Sequence, residues 1–292
     1  MNTRTCFRFI TLFFILASTA CGTSQEVSEP TLAPTTEISA PPTATAIPAA
    51  AIVNGEVISL TEFNAEVFRI QQAQEALGNI IFVDEAEERV LNDLIDQILL
   101  VQAARADGFT LTDAEVEARI ETLAADVGGE ENLSTWLANH NYTSESFFLS
   151  LKKAISAAWM RDKILADVDE SAEQVHAQQI LLYNLERAED VQANLAAGAD
   201  FGELASAYDP NTNGELFWFP RGYLLEKTIE DVAFLLAINT PSEIIETEIG
   251  FHIIVVLEKA EDHLLSPDAL LALQEKALNE WLQKERETSK IE

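Results

Sequence analysis

Cysteine chemistry is confined to the start of this chain, whose only cysteines are Cys6 and Cys21. The remainder therefore has no disulfide, thiol nucleophile or thiolate ligand. Residues that could act chemically gather instead in one late stretch of domain size. Four short motifs follow each other there: Gly198-Ala-Asp-Phe201-Gly-Glu-Leu-Ala205, Gly214-Glu-Leu-Phe-Trp218-Phe, Glu230-Asp-Val-Ala-Phe234 and Gly250-Phe-His252-Ile-Ile-Val-Val256. Asp209, Thr247 and His252 supply polar groups among these apolar segments. On its own, His252 reads as a satisfied core histidine on a strand. His140 stands alone in an Asn-rich loop and reads as a surface or cap residue.

The elements that must position these groups follow from residue patterning. His176 to Tyr183 reads as a strand, Arg187 to Ala197 and Phe201 to Tyr208 as helices, and Gly214 to Phe219 as a turn and strand. Thr228 to Leu236 reads as a helix, and Ser242 to Glu246 and His252 to Glu258 as the last strands. Such a mixed order implies an α+β sheet with helices packed against it.

The order of the four motifs resembles the parvulin family of peptidyl-prolyl cis/trans isomerases. That resemblance implies a parvulin-like (FKBP-like) α+β domain with a small antiparallel sheet, acting on protein chains. Rotation about an X-Pro bond is opposed by amide conjugation, a barrier of about 18–20 kcal/mol. A catalyst must favour the twisted amide, in which conjugation is lost. An apolar pocket for the proline ring with a few polar groups around the carbonyl and nitrogen suffices. No covalent nucleophile, metal or cofactor is implied.

The resemblance also implies site residues. His252 and Thr247 match the histidine and threonine lining the parvulin pocket, and Asp209 falls near its acidic or cysteine position. Leu216 matches the apolar residue after the turn, and Leu224 or Leu225 falls where a methionine usually packs on proline. Trp218, in the same motif as Leu216, joins them as an expected substrate contact. Two positions depart from the family. Gln179, in Ala177-Gln178-Gln179-Ile180-Leu181, stands where a histidine is usual, and Ile229 stands where a phenylalanine walls the pocket. Gln donates and accepts hydrogen bonds but cannot reproduce a pair of imidazoles. His176 cannot substitute, because odd spacing puts it on the other face of the strand. Phe217 stands where a glycine is usual.

Upstream, helix signals dominate. Ala51 to Ser59 reads as a strand pair about an Asn-Gly turn, and Ser59-Leu-Thr-Glu62 has the spacing of a capping box. Glu85 to Asp107 carries Val90, Leu91, Leu94, Ile95, Ile98 and Leu99 at helical spacing. Thr112-Asp-Ala-Glu115 opens another helix, and Thr143 or Ser144 opens a third with Phe147, Phe148, Leu151, Ile155, Trp159 and Ile164. Trp136, Phe148 and Trp159 read as core. Val53-Asn-Gly-Glu-Val-Ile, Leu94-Ile-Asp-Gln-Ile-Leu-Leu and Gly108-Phe-Thr-Leu-Thr-Asp-Ala-Glu-Val resemble the N-terminal chaperone segment of SurA- and PrsA-type foldases. In those foldases a final helix folds back on this region. Ser266-Pro267-Asp268, followed by Leu270, Leu271, Leu273, Leu278, Trp281 and Leu282, supplies a marked helix start and an amphipathic stretch.

The first residues pair Arg4 and Arg8 with an apolar run from Phe9 to Ala17, then Ser18-Thr19-Ala20-Cys21. This order describes an export signal, too short to span a bilayer as a helix. The cysteine after small residues resembles a bacterial lipobox, which implies lipidation of Cys21. A Pro/Thr-rich stretch from residue 22 to about 51 has too few large apolar residues to offset its ordering entropy and reads as a disordered tether. The balance of 49 Asp+Glu against 18 Lys+Arg, formally −31, argues against a basic patch for nucleic acid or anionic lipid.

The expected organisation is therefore a signal peptide over 1–20, a tether over 21–51 and an all-helical chaperone-like domain over 52–168. A parvulin-like domain over 173–261 and a returning helix over 266–290 complete it. The expected function is that of an exported, membrane-anchored foldase on the outer face of the cytoplasmic membrane or in the periplasm. It assists X-Pro isomerisation in unfolded or partly folded secreted or envelope proteins. Two alternatives are a binding-only chaperone with a degenerate parvulin domain and a structural envelope lipoprotein.

Overall fold

The computed structural model describes residues 48–292. The expected signal, Cys21 and most of the expected tether lie outside the described residues. The helical part opens on a hairpin, β1 (Ala49–Val53) and β2 (Glu56–Ser59). Asn54 and Gly55 both take positive φ, as a two-residue turn matching strand twist requires. The strand begins at Ala49, and Ala51 is buried. The last residues of the expected tether therefore belong to the fold, because they pair with β2.

Five helices follow: α1 (Leu60–Ala76), α2 (Val83–Ala106), α3 (Asp113–Asp126), α4 (Glu130–Asn139) and α5 (Ser144–Ala166). Ser59 caps α1 by accepting from Glu62 N at 3.1 Å. Thr112 and Glu115 form a reciprocal box at α3, as do Thr143 and Ser146 at α5. α2 is the central helix of this part. One side of it packs Val90, Leu94, Ile95 and Ile98 with the hairpin and Val67 of α1. Its Leu100 and Val101 meet Ala157 and Ile164 of α5. α4 was not expected from sequence, and it starts at Gly129 without a side-chain cap. Trp136, expected in the core, is 42% exposed. Its ring stacks at the surface on His140, the C-cap of α4, at 4.2 Å.

The second part holds β3 (Ser171–Leu182), α6 (Leu185–Ala196), α7 (Phe201–Tyr208), β4 (Glu215–Pro220), α8 (Lys227–Leu235), β5 (Ile245–Thr247) and β6 (Gly250–Leu264). The strands form one antiparallel sheet in the order β4-β3-β6-β5. β3 and β6 are longer than expected at the ends remote from α6, where Ser171 pairs with Leu264. β5 is shorter than expected, because the Ile254 N–H goes to the Ser242 hydroxyl at 3.0 Å instead of to a strand carbonyl, and regular pairing starts only at Ile245. Strand alternation divides the core in two. Val175, Ala177, Phe219, Ile254 and Val256 pack under α8, with Ile229, Ala233 and Phe234. On the other face Ile180, Leu182, Ile253 and Val255 pack under α6 and α7.

The last helix, α9 (Pro267–Thr288), has Ser266 as its N-cap and Pro267 in its first turn. Its Leu278, Trp281 and Leu282 lie on the α2–α5 core, while Leu271 is exposed. Arg286 joins α9 to α2, donating to Asp96 at 2.6 Å and to the Asn92 carbonyl at 2.9 Å. The chain end then runs alongside β1: Ile52 and Glu292 exchange both backbone hydrogen bonds. Among the described residues, no helix is long and apolar enough to cross a membrane.

Candidate active site

The α8 face of the sheet carries a cavity of about 330 Å³. Gln179 and His252 form its polar base, on strands that are direct neighbours. Leu216, Leu224 and Ile229 supply apolar wall, and Leu225 is fully exposed at the rim. Among the described residues three larger cavities lie elsewhere, about 550 Å³ between α8 and β5 and about 450 and 430 Å³ among the helices, and none of them is lined by a histidine.

His252 is 1% exposed and bonded through both ring nitrogens. Nδ1 lies 3.1 Å from Gln179 Oε1, and Nε2 lies 2.9 Å from Thr247 Oγ1. With the Gln179 oxygen toward the ring, Nδ1 carries the proton and donates, and a neutral ring accepts at Nε2 from the Thr247 hydroxyl, whose other acceptor within reach is the Gly250 carbonyl at 3.2 Å. That arrangement is the neutral tautomer. Burial favours it, pushing the His252 pKa below its ordinary 6.5, while the Glu226 carboxylate pulls the other way. Thr247 does not line the cavity. It orients His252 from behind, and its hydroxyl also receives the Ile249 N–H at 3.3 Å.

Gln179, expected to break a histidine pair, keeps the hydrogen bond to His252. It cannot take up a proton as an imidazole would, so what it offers is a fixed dipole. Its Nε2 has no protein partner among the described residues. Two glycines let the backbone close around this pair. A Cβ on Gly214 would stand 2.0 Å from the Gln179 carbonyl oxygen, and one on Gly250 would stand 2.5 Å from that of Leu182. Both have positive φ.

Three expected site residues are placed differently from one another. Ile229 lines the cavity but is 4% exposed, and it belongs to the core under α8. Asp209 stays outside the cavity. It caps α7 and holds its own turn, accepting from the N–H groups of Asn211 and Thr212 at 3.1 and 3.2 Å. Hydrogen bonds from Thr212 lower its pKa. Trp218 faces the other side of the sheet, stacked between His176 at 5.6 Å and His263 at 4.2 Å. A bulge in β4 opposite Ala177 and Gln178 accounts for this, since it brings Leu216 and Phe219 to the same face. Phe217 sits in the bulge at φ +53°, a region that favours glycine.

Sequence reasoning missed Tyr223, Glu226 and Ile249, which complete the cavity lining, and Glu230, which builds its wall. Glu230 is 4% exposed. Its carboxylate accepts the N–H groups of Gly222, Tyr223 and Leu224 at 2.7, 3.0 and 3.1 Å. A buried carboxylate is tolerated only when so satisfied. Glu230 therefore fixes the loop that carries Leu224 and Leu225. The sequence signal was its place at the head of Glu230-Asp-Val-Ala-Phe234, just after a glycine-containing loop.

A four-stranded antiparallel sheet covered on both faces, with a neutral buried histidine beneath an apolar cavity, defines a parvulin-type peptidyl-prolyl isomerase domain. Here it stands behind a mostly helical domain. The chain matches the SurA-like N-terminal domain over residues 31–161 and the PPIC-type PPIase domain over residues 161–260. It is 31% identical to the foldase protein PrsA of Geobacillus kaustophilus over 198 residues, 62% of this chain and 68% of that one. It is 29% identical to the foldase protein PrsA of Caldanaerobacter subterraneus over 232 residues, 70% and 71% of the two chains. A crystal structure of the peptidylprolyl isomerase PrsA from Bacillus cereus aligns over 82% of this chain and 85% of that one, with 22% identity and a TM-score of 0.43. The chain belongs to the PrsA foldase family.

Proposed function

We propose that this foldase accelerates X-Pro isomerisation in exported proteins at the cavity between α8 and the β3–β6 pair. The observation that carries this reading is the buried, doubly bonded His252 under an aliphatic cavity open to solvent. Leu216, Leu224, Leu225 and Ile229 grip the proline ring. Gln179, its oxygen engaged by His252, turns its free amide N–H toward the substrate. A proton donor near the prolyl nitrogen or carbonyl helps more once conjugation is broken than before, so it lowers the barrier. Thr247 positions His252, while Asp209 and Trp218 act only through the turn and the opposite face. The aliphatic wall makes the site a modest catalyst. Exchange spectroscopy on an Ala-Pro peptide should show faster cis/trans interconversion with the chain than without it. Aggregation suppressed without such acceleration would instead favour a binding-only chaperone.

The same proposal includes export and a lipid on Cys21, supported by Arg4 and Arg8, the apolar run and the small residues before the cysteine. Residues 22–47 then tether the folded part. The helical region over 52–168, joined by the helix of 266–290, handles unfolded chain beside an isomerase region over 173–261. Cys21→Ser should release the protein from membranes, and a Cys21→Ser protein still wholly in the membrane fraction would contradict the anchor.

A further inference from the structure

Most charged groups around the cavity are already committed. Glu230 is saturated by three backbone N–H groups. Lys227 is held by Asp231, with Nζ 2.8 and 3.0 Å from its two carboxylate oxygens. Glu226 differs. It lines the cavity, half-buried, between the exposed Leu225 and the first turn of α8. It occupies the N-cap position of α8 without a side-chain cap bond. Its backbone is nevertheless firm, since its carbonyl accepts from Ile229 and Glu230 at 3.0 and 3.2 Å. Among the described residues its carboxylate has no hydrogen-bond or ion-pair partner, and no lysine or arginine lines the cavity.

We propose that Glu226 is a specificity-determining residue, so that the site prefers segments with a lysine or arginine immediately before the proline and disfavours acidic ones. The inference rests on the isomerase reading of the same cavity. With the ring among Leu216, Leu224 and Ile229, the side chain before the proline leaves over the rim, where Glu226 and Leu225 stand. The leucine covers an aliphatic stem while the carboxylate meets a cationic head. Among the described residues no lysine or arginine pairs with Glu226. At separations of several ångströms near a surface, one such charge pair gives about a three- to tenfold preference at low salt.

The test uses the full chain and the peptides Ala-Lys-Pro-Phe, Ala-Ala-Pro-Phe and Ala-Glu-Pro-Phe, with Ala-Ala-Pro-Lys and Ala-Ala-Pro-Glu to examine the other side. NMR reads both the cis/trans exchange rate and the peptide affinity. Lys-Pro should exceed Glu-Pro by about three- to tenfold, and the ratio should shrink at high salt. Glu226→Gln should bring the ratio near one, and Glu226→Lys should invert it. Equal values for Lys-Pro and Glu-Pro in both readouts would overturn the proposal. A preference that survives Glu226→Gln, or one seen only after proline, would also overturn it. Should no peptide be isomerised, the function reading fails, while the affinity ratio still decides what Glu226 selects.

Discussion

Two histidines on paired strands of one sheet meet opposite surroundings. His252 on β6 lies under α8, neutral and wholly buried, with a hydroxyl and an amide as its partners. His176 on β3 lies on the opposite face, 2.8 Å from Glu215 and 3.7 Å from Glu258, with Trp218 stacked on its ring. Carboxylates surround the second histidine, and it lines none of the cavities described above. Neutral partners make the first a hydrogen-bonding floor beneath an apolar space. The face of the sheet, rather than the residue type, decides which histidine can meet a substrate.

The largest effect that would break this comparison falls on the wall of the pocket. Glu230→Ala leaves three inward N–H groups without an acceptor. We expect a loss of about 2–4 kcal/mol in urea unfolding together with loss of isomerisation. His176→Ala removes only a partly exposed contact with two carboxylates, and the same measurement should show under about 1 kcal/mol. Next comes activity. His252→Ala removes the partner that orients Gln179, and peptide isomerisation should fall about ten- to hundredfold. His176→Ala should leave it within about twofold, since it touches nothing in the cavity. Equal losses in the two variants would dissolve the distinction.

A pH experiment sharpens it. The pKa of His252 is lowered in the fold, so below the unfolded value of about 6.5 the unfolded chain binds the proton first. The stability contributed by neutral His252 is therefore full above that pH and is lost as pH falls below it. Between pH 7 and 5 the wild type should lose more stability than His252→Gln, whose carboxylates are the same. An imidazole titration by NMR should place the His252 midpoint below 6.5.

How much of this was readable in advance depended on how local its cause was. The Asn54-Gly55 turn and the Thr112–Glu115 box each act within a few residues, and their types alone specify them. α4 escaped because it starts from Gly129 with no capping side chain. Trp136 escaped because the small cluster of Ala124, Leu133 and Leu137 is too thin to cover an indole. Motif order led to Leu216, His252 and Thr247. Trp218 was grouped with Leu216 by their shared motif, and the bulge in β4 turns the two to opposite faces. Glu230 was invisible as a builder of the site, since its partners become neighbours only when the preceding loop folds over α8.

The smallest expected effect concerns that bulge. Phe217 is 67% exposed and left-handed, a conformation costing a non-glycine residue about 1–2 kcal/mol. Glycine relieves this but adds freedom to the unfolded chain. Phe217→Gly should thus raise stability by up to about 1 kcal/mol in urea unfolding, with the cavity unchanged.

The central claim is that the cavity over Gln179 and His252 receives the proline. Titrating a Lys-Pro peptide into methyl-labelled full chain tests it most directly. The account predicts shifts concentrated on the methyl groups of Leu216, Leu224, Leu225, Ile229 and Ile249. Shifts confined to Leu235, Leu236, Ile244 and Ile245 in the groove between α8 and β5, or to Val101, Leu111 and Leu149 among the helices, would contradict it.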